Sequence, residues 1–127
     1  MQISFEVYPP RKEEDTPKLH EAILRLTELD PKFISVTFGA GGSSTRDSLS
    51  VLKFIRDNST ASPLAHLTCV GTTEADAKEL VSEFLGEGIS DFLALRGDLP
   101  EGKTHMPPGT LSRADQLVKL IGKARAD

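Results

Sequence analysis

Four times along the chain, a short apolar and β-branched run is followed by a turn-rich stretch and then by a segment with helical periodicity. The runs are Ile3 to Tyr8, Phe33 to Phe38, Leu64 to Cys69 and Phe92 to Leu95. The apolar positions that follow them are Leu19, Ile23 and Leu26; Leu49, Leu52 and Ile55; Ala77, Leu80, Val81, Phe84 and Leu85; and Ala114, Leu117, Val118 and Ile121. Each set keeps the three- and four-residue spacing of one helix face. Strand centres near Phe5, Ser35, His66 and Leu93 recur about every 30 residues, the size of a βα unit. Such alternation predicts right-handed crossovers and a parallel sheet.

The sequence has 127 residues, about half of the roughly 250 in a complete eightfold βα barrel. The expected fold is therefore α/β, a (βα)4 half of a TIM (β/α)8 barrel, in a single domain over residues 1–127. Helix starts are expected where a hydroxyl precedes a carboxylate by three positions: Ser44 with Asp47, Thr73 with Asp76 and Ser112 with Asp115. This reads as an N-cap with a favourable charge at the helix dipole. The first helix is expected to open at Thr16-Pro17, since proline is tolerated at the first helical position. Stops are expected at Gly86 and Gly88, and the longest loop at Gly97 to Thr110.

Composition narrows the function classes. With 38% apolar and 27% charged residues and a formal net charge of −4, the chain lacks the clustered basic stripe of a nucleic-acid binder. No apolar run approaches the roughly 20 residues of a spanning helix. Met1-Gln2 leads directly into a strand with no signal-like stretch. The single cysteine, Cys69, allows no internal disulfide and fits a reducing compartment. The expected location is the cytoplasm, with no membrane or nucleic-acid partner.

Strand parity separates packing from chemistry. Ile3, Phe5 and Val7 alternate with Ser4 and Glu6; Ile34 and Val36 with Ser35 and Thr37; Ala65 and Leu67 with His66 and Thr68. Parallel sheets are usually apolar on both faces. A polar face rising toward the C-terminal ends of the strands therefore reads as a ligand site at a barrel mouth.

Individual motifs leave two readings open. Glu6, in Ser4-Phe5-Glu6-Val7-Tyr8-Pro9-Pro10, is either an inward general acid or the partner of a nearby arginine or lysine. The glycine-rich turn from Thr37 to Ser44 either lets backbone approach a ligand or only makes a tight βα turn. His66 by itself reads as a satisfied core histidine, because no cluster at metal-ligand spacing accompanies it. Cys69 reads as a small buried hydrophobe. Arg96 and Asp98, straddling Gly97, form either a surface turn or part of the mouth.

The four motifs SFEVYPP, SVTFGAGGSS, AHLTCVGTT and LALRGDLP stand in this order on successive strands. Together they resemble the N-terminal half of the methylenetetrahydrofolate reductase family, from Ser4 to about Ile121. The resemblance implies an FAD enzyme that takes electrons from NADH or NADPH and reduces the methylene group of a folate substrate to methyl. It implies that Glu6 is the acid assisting opening of the folate ring to an iminium. By the same resemblance, Asp98 is expected to lie near the flavin and contact the pterin. The resemblance implies further flavin contacts from Thr37, His66, Leu95, Arg96 and Gly97, and from the region of Arg113 and Ala114. The family often has an aromatic residue where Arg113 stands, and Val7-Tyr8 replaces its usual Phe-Phe.

Family members close an eight-stranded barrel, whereas four βα units are present here. The chain is therefore expected to meet a missing C-terminal half or to self-associate. The alternative is a non-catalytic half-barrel that self-associates as a binding module. A metal-dependent barrel hydrolase is disfavoured, since no ligand cluster is present.

Overall fold

The computed structural model describes residues 1–37, 45–97 and 108–126. Its elements alternate as expected: β1 (Ser4–Val7), a short 3-10 turn (Glu13–Asp15), α1 (Thr16–Thr27), β2 (Phe33–Val36), α2 (Thr45–Asn58), β3 (Ser62–Thr68), α3 (Glu74–Gly86), β4 (Asp91–Leu95) and α4 (Ala114–Ala126). The strand order is β1-β2-β3-β4, the order that successive right-handed βα units produce. Strands β1 and β3 each pair with β2 in parallel register. This is the α/β half-barrel pattern read from the sequence. The residues fall into two compact units, Met1–His66 and Leu67–Asp127.

In the first unit, Ile34 and Val36 of β2 are buried with Leu49, Val51, Leu52 and Ile55 of α2 and Ile23 of α1. The apolar half of the β2 alternation is thus buried together with the apolar stripes of the helices, and each fully buried aliphatic side chain contributes about 1.5–3 kcal/mol. His20 of α1 stacks on Phe54 of α2, with ring centroids 3.8 Å apart and planes 6° from parallel. Pro17 sits in the first turn of α1 as expected, although the N-cap residue Asp15 makes no side-chain cap bond. After α1 the chain turns through Asp30 at φ 52°, a left-handed conformation that aspartate tolerates better than most residues.

In the second unit, Ala77, Val81 and Phe84 of α3 and Leu117, Leu120 and Ile121 of α4 are buried. Val118, expected on the packed stripe, is instead 57% exposed, and Leu120 takes that place. The spacing 117, 120, 121 follows the helical repeat equally well, so periodicity alone could not choose between the two stripes. Helix α3 is capped as read: the Thr73 side chain accepts from the Asp76 N–H at 3.1 Å. It ends at Gly86, with Gly88 at φ 82°.

The cap of α4 differs from the expectation. Gln116 Oε1 reaches back to accept from Ser112 N at 2.9 Å, Arg113 N at 3.0 Å and Ser112 Oγ at 3.2 Å. One amide oxygen serves two free backbone donors, so Ser112 is held by the cap and does not supply it. The expected cap at Ser44 lies outside the described residues. Among the described residues, no helix is long and apolar enough to cross a membrane.

Candidate functional site

The polar half of the strand alternation gathers four side chains in the first unit. Register sets Glu6 opposite Ser35 and Val36 opposite Ala65. One step further, Thr37 stands across from His66. Because side chains on adjacent paired strands share a face when they are in register, Glu6, Ser35, Thr37 and His66 all lie on one side of the sheet. Glu6 Oε1 lies 3.3 Å from His66 Nε2. Ser35 Oγ donates to the same carboxylate oxygen at 3.5 Å, the long limit of a hydrogen bond.

This arrangement corrects two readings. The partner of Glu6 is a histidine on the strand beyond its neighbour, and among the described residues no arginine or lysine takes that role. The Glu6 carboxylate is also not buried: its side chain is 48% exposed, while that of His66 is 10% exposed.

His66 is not the satisfied core histidine that its strand position alone suggested. Its Nε2 is buried without an aligned hydrogen bond, although Glu6 is within ion-pair distance. The Thr37 hydroxyl is likewise buried without a partner among the described residues. A buried polar atom left unpaired costs about 1–3 kcal/mol, and such atoms call for a ligand, a water or a function. Two of them on one face, at the carbonyl ends of neighbouring strands, leave hydrogen-bonding capacity for a polar ligand. The residues that the resemblance assigns to flavin in this unit therefore fit that group.

Thr37 itself is held from two sides. Its N–H donates to Val7 O at 3.2 Å, and its carbonyl accepts from Ser48 Oγ at 2.9 Å. The sequence reading missed Ser48. Its signal was a small hydroxyl residue on the same helical stripe as Leu52 and Ile55, where an apolar residue is the rule.

The second unit holds the remaining assigned residues. The Cys69 and Val70 amides donate to the Leu95 and Arg96 carbonyls at 2.9 and 3.0 Å, which extends the pairing past the ends of β3 and β4. Arg96 Nε donates to the Gly97 carbonyl at 3.2 Å, the turn reading of this motif. Gly97 adopts φ 81°, and a Cβ placed there would lie 2.7 Å from Val70 Cγ1; only glycine fits on both counts. Ala114 begins α4 and is half-buried. Arg113 Nε pairs with Asp115 Oδ1 at 3.2 Å. Asp98 lies outside the described residues, as do His105 and the whole of the glycine-rich turn after Thr37.

Cys69 is fully buried, as read. Its Sγ lies 3.3 Å from the Arg113 carbonyl. Burial pushes the thiol above its ordinary value, and the Asp115 carboxylate adds in the same direction. A thiol held protonated is a poor nucleophile. Among the described residues, no group of three or more His, Cys, Asp or Glu could hold a metal ion.

Comparison with known proteins points the same way as these positions. The Methylenetetrahydrofolate reductase family matches residues 1–127. The 5,10-methylenetetrahydrofolate reductase of Escherichia coli (strain K12) is 39% identical over 100 residues, covering 79% of this chain and 34% of the relative. That of Pectobacterium carotovorum subsp. carotovorum is 36% identical over 122 residues, covering 94% of this chain and 40% of the relative. A protein of Oryza sativa subsp. japonica named "Probable methylenetetrahydrofolate reductase (NADH)" is 33% identical over 101 residues, covering 80% of this chain and 17% of the relative. The chain thus spans well under half the length of the curated relatives it matches.

Proposed function

The chain belongs to the methylenetetrahydrofolate reductase family, and from that premise we propose that it serves the reduction of 5,10-methylenetetrahydrofolate to 5-methyltetrahydrofolate, with FAD as cofactor and NADH or NADPH as donor. The observation that carries this reading is the polar face of the first unit. There a carboxylate bonded by Ser35 lies beside two buried polar atoms that have no aligned hydrogen bond among the described residues.

FAD, when bound, supplies the two-electron relay between the reduced nicotinamide and the exocyclic carbon of the folate. Thr37 Oγ1 and His66 Nε2 are the groups of the first unit that would hold it, each gaining the partner it lacks. Leu95, Arg96, Gly97 and Ala114 are proposed as further contacts, and Asp98 as the carboxylate beside flavin and pterin. Glu6 is the proposed acid. It gives a proton to the folate nitrogen whose bond to the bridging carbon breaks as the five-membered ring opens. Ser35 donates to Oε1 and His66 Nε2 stands 3.3 Å from it without an aligned hydrogen bond, while the exposure of the carboxyl leaves it within reach of a substrate, as a general acid requires. The naming of the rice relative as an NADH enzyme supports a nicotinamide donor.

The partial coverage of the relatives bears on partners. We propose that the sheet edges are completed either by further βα units, as in an eight-stranded barrel, or by a second copy of the chain, because unpaired edges invite association. Sedimentation with and without FAD distinguishes a flavin-indifferent dimer from a flavin-binding unit. Titrating FAD into the purified chain and recording the bound-flavin absorbance tests the central claim. A folded circular dichroism spectrum with no flavin uptake would refute a flavin site formed by this chain alone.

A further inference from the structure

We infer that Ser48 is a positioning residue for Thr37, locking the carbonyl end of β2 so that the Thr37 hydroxyl stays buried and available to a ligand. The identity of that ligand rests on the flavin reading above; the lock itself does not.

Thr37 has three polar groups outside its neighbours' peptide bonds. Its N–H is used by Val7 O at 3.2 Å and its carbonyl by Ser48 Oγ at 2.9 Å. Its hydroxyl has no partner among the described residues. Threonine hydroxyls commonly satisfy themselves on a nearby backbone group. With both backbone groups of Thr37 engaged, the hydroxyl is held on the polar face instead. Thr37 is 8% exposed and Ser48 2% exposed, so water does not readily replace either bond.

The position of Ser48 supports the same conclusion. It lies in the first turn of α2, on the stripe that continues through the fully buried Leu52 and Ile55. A hydroxyl at such a position is costly to bury unless it is bonded. Here it reaches back eleven residues to β2. Loss of that hydroxyl leaves the Thr37 carbonyl buried and unpaired, and the least costly relaxation is a shift of Thr37 toward another donor.

The test compares Ser48→Ala and Ser48→Thr with the wild-type chain by amide hydrogen exchange at Thr37 and Ile34 and by FAD titration. In Ser48→Ala, exchange at Thr37 is expected to rise about fivefold, the factor matching about 1 kcal/mol for one net hydrogen bond, while Ile34 is unchanged. FAD affinity falls by a similar factor, and Ser48→Thr restores both. Alanine is a better helix former than serine, and Ser48→Cys, which nearly keeps the volume, repeats the readout if a cavity disturbs folding. Unchanged Thr37 exchange in Ser48→Ala overturns the lock. Raised exchange with unaltered affinity, in a chain that binds FAD, overturns the positioning role. If the wild-type chain takes up no FAD, the flavin reading of this unit fails, and Thr37 exchange alone then decides whether the lock exists.

Discussion

Glu6 on β1 and His66 on β3 meet across the intervening strand, Oε1 to Nε2 at 3.3 Å. The contact joins residues from the first and third βα units. It leaves the histidine buried and the carboxylate half-open. An acid that is anchored at one oxygen and accessible overall can approach a substrate without losing its orientation, which is the property general acid catalysis asks of it.

Replacing Glu6 by glutamine keeps the shape and removes the proton. With the remaining barrel sequence supplied in trans, the folate half-reaction is expected to fall by about 10²- to 10⁴-fold, while flavin reduction by NAD(P)H is largely unchanged. Stopped-flow measurement of the two half-reactions checks this; an equal loss in both would remove Glu6 from the acid's role.

Gly97 combines a left-handed backbone with a close neighbour, Val70. Gly97→Ala is expected to destabilise the fold by about 2–4 kcal/mol, from left-handed strain and overpacking together. Urea unfolding reads this directly. A midpoint within error of wild type would mean that the backbone there relaxes freely.

The cap of α4 gives a paired comparison. Gln116→Ala removes the acceptor for two backbone amides and is expected to cost about 1 kcal/mol, near the value for loss of an N-cap. Ser112→Ala leaves both amides bonded and is expected to cost less. The reverse ranking in thermal unfolding would restore Ser112 as the cap.

Cys69 carries a pH dependence. Burial and the Asp115 carboxylate raise its pKa above the ordinary value of 9.0, so the folded chain keeps the thiol proton after the unfolded chain has begun to lose it. The unfolded state then binds fewer protons, and stability falls as pH rises. The contribution is complete below the unfolded value and is lost as pH climbs from it through the folded value. The unfolding midpoint of wild type relative to Cys69→Ala is therefore expected to drop as pH rises through and above 9.0. A difference that stays constant over that range would contradict it.

Features that depend on local pattern were legible from the residues. Period-two alternation marked the polar face that Glu6, Ser35 and His66 share and the buried apolar positions of β2, and three-and-four spacing marked Leu49, Leu52 and Ile55 as the packed face of α2. The Thr73 cap spans only the four residues from Thr73 to Asp76, so it too could be read locally. The glutamate, threonine and histidine of the candidate site were identified one strand at a time.

What those residues do to one another was decided by the tertiary structure. Strand register brings Ser35 opposite Glu6 and His66 within reach of it, and register follows from pairing between distant segments. Exposure of Glu6 depends on what covers the polar face, which alternation does not reveal. Val118 turns outward because helix rotation is chosen by packing. Ser48 holds Thr37 because α2 lands where its hydroxyl meets a carbonyl eleven residues earlier. Sequence periodicity determined the faces of the elements, while long-range pairing and burial determined the partners, because a hydrogen bond across strands exists only once both strands are in place.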